Sequence, residues 1–114
     1  MLSYSGSFVN LENVQHPEIS RGAWEYHATL IQKAKTKPIR VWLEVAEQDN
    51  GATRTEGELR NWILANQHMA AALKAKGYHY QYVFAKEAGH TDRSVLAYTL
   101  PEALLWLWQG YPIR

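Results

Sequence analysis

Apolar positions along the chain fall into alternating strand-like and helix-like patterns. Leu2 to Tyr4 reads as a strand end, and Ser5-Gly6-Ser7 as the turn leaving it. Residues 8–18 read as loop, with Asn10, Asn13 and His16-Pro17. Ser20 can then cap a helix running to about Lys35, with Trp24, His27, Ala28 and Ile31 on one stripe. Five of the seven residues from Ile39 to Val45 are apolar, a near-continuous run that suits a strand buried on both faces. Ala46 to Gly51 should turn the chain, because Asn50-Gly51 is a turn dipeptide. Thr55 and Glu58 have capping-box spacing, and Leu59, Trp62, Ile63, Met69, Ala70 and Leu73 recur behind them at helical intervals. The expected helix covers 56–76, with Gly77 as its C-cap. Tyr78 to Ala85 is the third strand, with Tyr78, Tyr80, Tyr82 and Phe84 on one face, and a helix should cover its tyrosine row at 78–82. Lys86 to His90 reads as a turn and Thr91 to Arg93 as the start of another stretch. Pro101 is expected to open a last helix, from Glu102 to about Gln109, that buries Leu104, Leu105, Leu107 and Trp108.

Strands alternating with helices imply βαβ units and parallel pairing. The expected class is therefore α/β, with about three parallel strands and three helices spanning residues 1–114 as one domain. Three helices cover a parallel sheet only in part, so the sheet is expected to be incomplete.

Composition narrows the function classes. Twelve Lys and Arg face eleven Asp and Glu, a formal net charge of +1, so no global field steers a polyanion or a membrane surface. Cysteine is absent, which removes disulfides, thiolate nucleophiles and thiolate metal ligands. No apolar run is long enough to span a bilayer. The first six residues have neither the basic nor the apolar region of a signal peptide, so cytoplasmic location is the default expectation.

Ligands of open α/β sheets sit beyond the carboxyl ends of the strands. Asp49 falls just after the second strand, and His90 just after the third, behind Gly89. One βαβ unit separates them, so their strand ends can be neighbours. A carboxylate holding a His Nδ1–H is the orienting half of a catalytic triad. The plainer reading is that Asp49 caps its own turn and His90 is a solvated loop residue. Asp92 is a rival acid close to His90, though a partner on another strand suits the geometry better. His16, His27, His68 and His79 lack the spacing of a metal site. Trp62, Trp106 and Trp108 sit in helical patterns and read as core. Lys33, Lys35, Lys37 and Arg40 read as a solvated helix end.

The segment Val41 to Asp49 resembles the acid-bearing strand end of α/β-hydrolase esterases. The similar family includes enterochelin esterases, esterase D-like enzymes and feruloyl esterases. Its C-terminal half runs strand, acid turn, helix, strand, Gly-His turn, helix. Ala88-Gly89-His90 resembles the histidine turn, Thr99 to Trp108 the terminal helix, and Leu2 to Phe8 the Ser-x-Ser-Gly-Ser-Phe segment beyond the nucleophile helix. The likeness covers almost the whole chain in matching order. It implies a serine-dependent carboxylic ester hydrolase acting on a small-molecule ester, without a cofactor, metal or nucleic acid. His90 would be the general base, and Asp49 would hold its tautomer.

The chain departs from that family at one decisive place. No G-x-S-x-G nucleophile elbow occurs in it. The implied fold uses about 200 residues or more, so these 114 would correspond to its C-terminal half. Ser5 has small neighbours two residues away and precedes Asp49 and His90 in the order of that superfamily. However, an elbow needs a helix directly after it, and loop residues follow Ser5. The expectation is negligible turnover by this chain alone, with a missing N-terminal half or a second copy as its partner. The alternative function is a non-catalytic, self-associating module.

Overall fold

A computed structural model describes residues 1–11 and 21–111. Three parallel strands form one sheet in the order β1-β2-β3: β1 (Leu2–Tyr4), β2 (Arg40–Gln48) and β3 (His79–Gly89). Leu2 pairs with Trp42 and Tyr4 with Glu44, while Arg40 pairs with His79 and Val45 with Phe84. The fold is therefore α/β with a parallel three-stranded sheet. β2 is central, which explains why its sequence is apolar almost throughout.

The two faces of β2 are covered differently. Val41, Leu43 and Val45 point to one face, where α2 (Trp62–Ala75) contributes Trp62, Ala65, Met69, Ala70 and Leu73. Trp24 and Val9 complete that core, and Tyr78, Tyr80 and Tyr82 pack against it from the third strand and its approach, as the tyrosine row leads one to expect. On the other face α3 (Arg93–Trp108) sets Trp106 against Trp42, with ring centroids 6.1 Å apart, and buries Ala103 completely.

Several expected boundaries move. The first helical region is not one helix. It consists of a 3-10 turn at Gly22–Trp24, a π-helical stretch at Tyr26–Leu30 and a short α1 (Ile31–Lys33). The π stretch carries the buried His27 ring, whose Nε2 lies 3.0 Å from the carbonyl of Phe8. Ser20, Asn13 and His16-Pro17 lie outside the described residues. The Thr55–Glu58 capping box forms, yet it closes only a 3-10 turn, because Leu59 adopts φ +56 and stops the helical run. α2 starts afresh at Trp62, capped by the Asn61 side chain on the Leu64 amide.

The last helix differs most. It begins at Arg93, capped by Asp92, and runs through Pro101, which sits inside it rather than at its start. Asp92 accepts from the amides of Ser94 and Val95, satisfying two of the orphan donors of the first turn. The expected burial also fails. Leu105 is 76% and Trp108 65% exposed, Leu104 is exposed and Leu107 only partly buried. The reason is that α3 packs chiefly on β1 and β2. A 16-residue apolar helix presents more surface than that narrow sheet covers. Arg40 is not a solvated cation either. It donates to the carbonyls of Trp106 and Gln109 and lies over the Trp106 ring, so it ties down the end of α3. No described helix is long and apolar enough to cross a membrane.

Candidate functional site

The site lies at the carboxyl ends of the strands, where three chain segments converge. β2 delivers Asp49, whose side chain is fully buried. The turn behind it depends on Gly51 at φ +67: a Cβ there would stand 2.0 Å from the Arg60 carbonyl oxygen. Asp49 Oδ1 accepts from the Asn50 amide at 2.8 Å and Oδ2 from the Ala46 amide at 3.2 Å. Asp49 does cap its own turn, and it has acceptor capacity to spare.

β3 delivers His90 by an irregular route. Ala46 pairs with Ala85, but Gln48 pairs with Gly89, so β3 spends two more residues than β2 between those rungs. The surplus is taken up where Glu87 adopts φ +56 and its amide donates to Glu47 Oε2 at 2.8 Å. A regular ladder would set Ala88 level with Asp49; the bulge instead brings His90 there. Lys86 to Gly89 are thus strand, where sequence suggests a turn.

His90 Nδ1 stands 2.7 Å from Asp49 Oδ1. An ionised carboxylate only accepts, so Nδ1 carries the proton, and Nε2 of the neutral ring keeps its lone pair. The His90 side chain is 36% exposed, and Trp62 packs its ring edge-on at 6.1 Å between centroids. Burial alone would raise the Asp49 carboxyl. Hydrogen bonds from Ser5, His90 and the Ala46 and Asn50 amides outweigh it and hold the group below the ordinary carboxylate range. Asp92 is occupied in capping α3, so it is not the acid facing His90.

β1 delivers Ser5. Its amide continues the ladder to the Glu44 carbonyl, and φ +48 then turns the chain away. The buried Oγ donates to Asp49 Oδ2 at 2.6 Å and accepts from the Thr91 amide at 3.0 Å. A triad nucleophile bonds Nε2 of the histidine. Ser5 bonds the acid instead, so it does not stand in the nucleophile's place. Among the described residues no hydroxyl bonds His90 Nε2.

A second carboxyl, which the sequence reading passed over, lies below this group. Glu44 is almost wholly buried on the α3 face of β2, between apolar neighbours that disguise it in the sequence. Burial, then the negative charge of Asp49, pushes it up to about 7.

The other histidines among the described residues, His27, His68 and His79, do not join the site. His27 and His68 stack with Trp24 beside α2, and His68 pairs with Glu56 at 2.7 Å. His79 is exposed, and no metal-binding group of three side chains occurs among the described residues. A cavity lies at the opposite end of the strands, lined by Lys37, Arg40, Tyr78 and His79 among others.

Compared with models of protein families, with curated proteins and with solved structures, the chain has no match.

Proposed function

We propose that Asp49 and His90 are the acid and the general base of a serine-dependent carboxylic ester hydrolase of the α/β-hydrolase type, acting on a small-molecule ester. The observation that carries this reading is the 2.7 Å contact of His90 Nδ1 with a buried, charge-stabilised Asp49, at the carboxyl ends of adjacent parallel strands. In that role Nε2 takes the proton of a serine attacking the ester carbonyl and later returns it to the leaving alkoxide. Asp49 fixes the tautomer and stabilises the imidazolium. The serine would come from a segment or chain beyond these 114 residues, which hold no G-x-S-x-G.

The test is to express the reading frame containing Met1 with whatever coding sequence precedes it, and to follow p-nitrophenyl butyrate hydrolysis. Turnover should fall by about a thousandfold or more in His90→Ala and in Asp49→Asn. Turnover that survives both substitutions, or none in a product that does carry an elbow, overturns the reading.

A second reading, association of this chain with another copy of itself, is favoured by the exposed apolar face of α3. It concerns assembly and is compatible with the first.

A further inference from the structure

We propose that Ser5 is a positioning residue, whose buried hydroxyl binds Asp49 and the histidine turn into one rigid unit. The proposal rests on reading Asp49 and His90 as acid and base.

Ser5 Oγ uses its single proton on Asp49 Oδ2 and accepts from the Thr91 amide, next to His90. One atom therefore joins the acid to the residue that follows the histidine, across sequence separations of 44 and 86 residues. The division of labour at the carboxylate matters. Oδ1 serves His90 and the Asn50 amide, while Oδ2 serves Ser5 and the longer Ala46 contact. Without the hydroxyl, Oδ2 retains only the 3.2 Å amide. The carboxylate can then rotate and carry Oδ1 off the ring. The Thr91 amide loses its acceptor in the same event, so the acid and the histidine turn loosen together.

The backbone supports this assignment. Ser5 holds φ +48 and Thr91 φ +49, conformations that cost non-glycine residues energy. Both residues meet at the Ser5 hydroxyl, and their strained turns aim its oxygen and the Thr91 amide at each other. A serine retained only to turn the chain would need no buried hydroxyl, since glycine turns there more cheaply.

The test uses the 114-residue chain, isotope-labelled, with Ser5→Ala and Ser5→Gly. Both lose the hydroxyl, but glycine also relieves the left-handed backbone. In each variant the Asp49 carboxyl should titrate about one pH unit higher. The His90 ring nitrogens should show a mixture of tautomers where the unaltered chain shows the Nδ1–H form. In the ester-hydrolysing product, Ser5→Gly should lower kcat about ten- to a hundredfold with KM little changed. Unchanged Asp49 titration and His90 tautomer in a folded variant overturn the proposal, as does a normal pair in Ser5→Gly beside a disturbed one in Ser5→Ala. If neither variant folds, the Ser5 hydroxyl proton of the unaltered chain decides. Slow exchange supports the proposal, and rapid averaging overturns it. An adduct of a fluorophosphonate on Ser5 also overturns it. Ester turnover indifferent to His90→Ala would instead remove the hydrolase reading, while the titration shifts would still report on Ser5.

Discussion

Glu44 is the residue whose chemistry the fold alters most. Its carboxyl is buried within electrostatic reach of Asp49, Asp92 and His90, and burial followed by the Asp49 charge favours its protonated form up to about pH 7. The unfolded chain releases that proton near pH ~4.3. A raised folded pKa adds stability below the unfolded value, and that contribution fades as pH rises through the folded one. Urea unfolding should therefore show stability falling by roughly 3 kcal/mol between about pH 4.5 and pH 7.5 from this group. Glu44→Gln should flatten that slope, and a slope identical to that of the unaltered chain would refute the assignment. Asp49 has the opposite sign. Its lowered carboxyl adds stability above pH ~4 that is lost on acidification, so Asp49→Asn should be destabilised near neutrality and less so at pH 3.

At the scale of elements, two turns decide whether the acid and the histidine meet. The Asp49 turn needs Gly51, and Gly51→Ala should cost about 2 kcal/mol or more, read as a lower urea midpoint, because backbone rather than a flexible side chain blocks the new Cβ. The bulge in β3 needs the left-handed Glu87. Glu87 is exposed, so Glu87→Gly removes a conformational cost without opening the core. A gain of up to about 1 kcal/mol is expected in thermal or urea unfolding. A loss would mean that the Glu87 side chain holds the bulge instead. The elements themselves were unequally legible. β2 could be read from its apolar run and α2 from its periodicity, since both signals are local. The bulge could not be read, because Lys86-Glu87-Ala88-Gly89 looks like a turn until β2 pairs alongside it.

At the scale of the molecule, the sheet edges and the outer face of α3 are uncovered among the described residues. β1 and β3 are both sheet edges, and α3 turns Tyr98, Leu105 and Trp108 outward on one face, Tyr98 to 88% exposure. Spacings of seven and three residues place these three side chains on one side of the helix, with Leu105 and Trp108 as neighbours. Light scattering at micromolar concentration should find more than one copy per particle, and Leu105→Lys with Tyr98→Lys should shift the population to monomer. A clean monomer of the unaltered chain would count against self-association. The apolar tail of α3 illustrates what patterning can miss. Leu104 to Trp108 carry the composition of a core helix, but burial depends on how wide a sheet lies beneath it, and three strands do not reach that far.

The sequence by itself determined the alternation of strand and helix, the parallel α/β class, the burial of β2 on both faces, and the placing of Asp49 and His90 just after strands whose ends can be neighbours. These follow from periodicity, turn residues and the handedness of βαβ connections, all of which act over short stretches of chain. Only the tertiary structure decided that Asp49 is buried and held charged, that a two-residue surplus in β3 brings His90 level with it, and that Ser5 bonds the acid. Each of these depends on a hydrogen bond or a packing contact between segments far apart in sequence. Such contacts leave no periodic trace, and they exist only once the strands lie side by side.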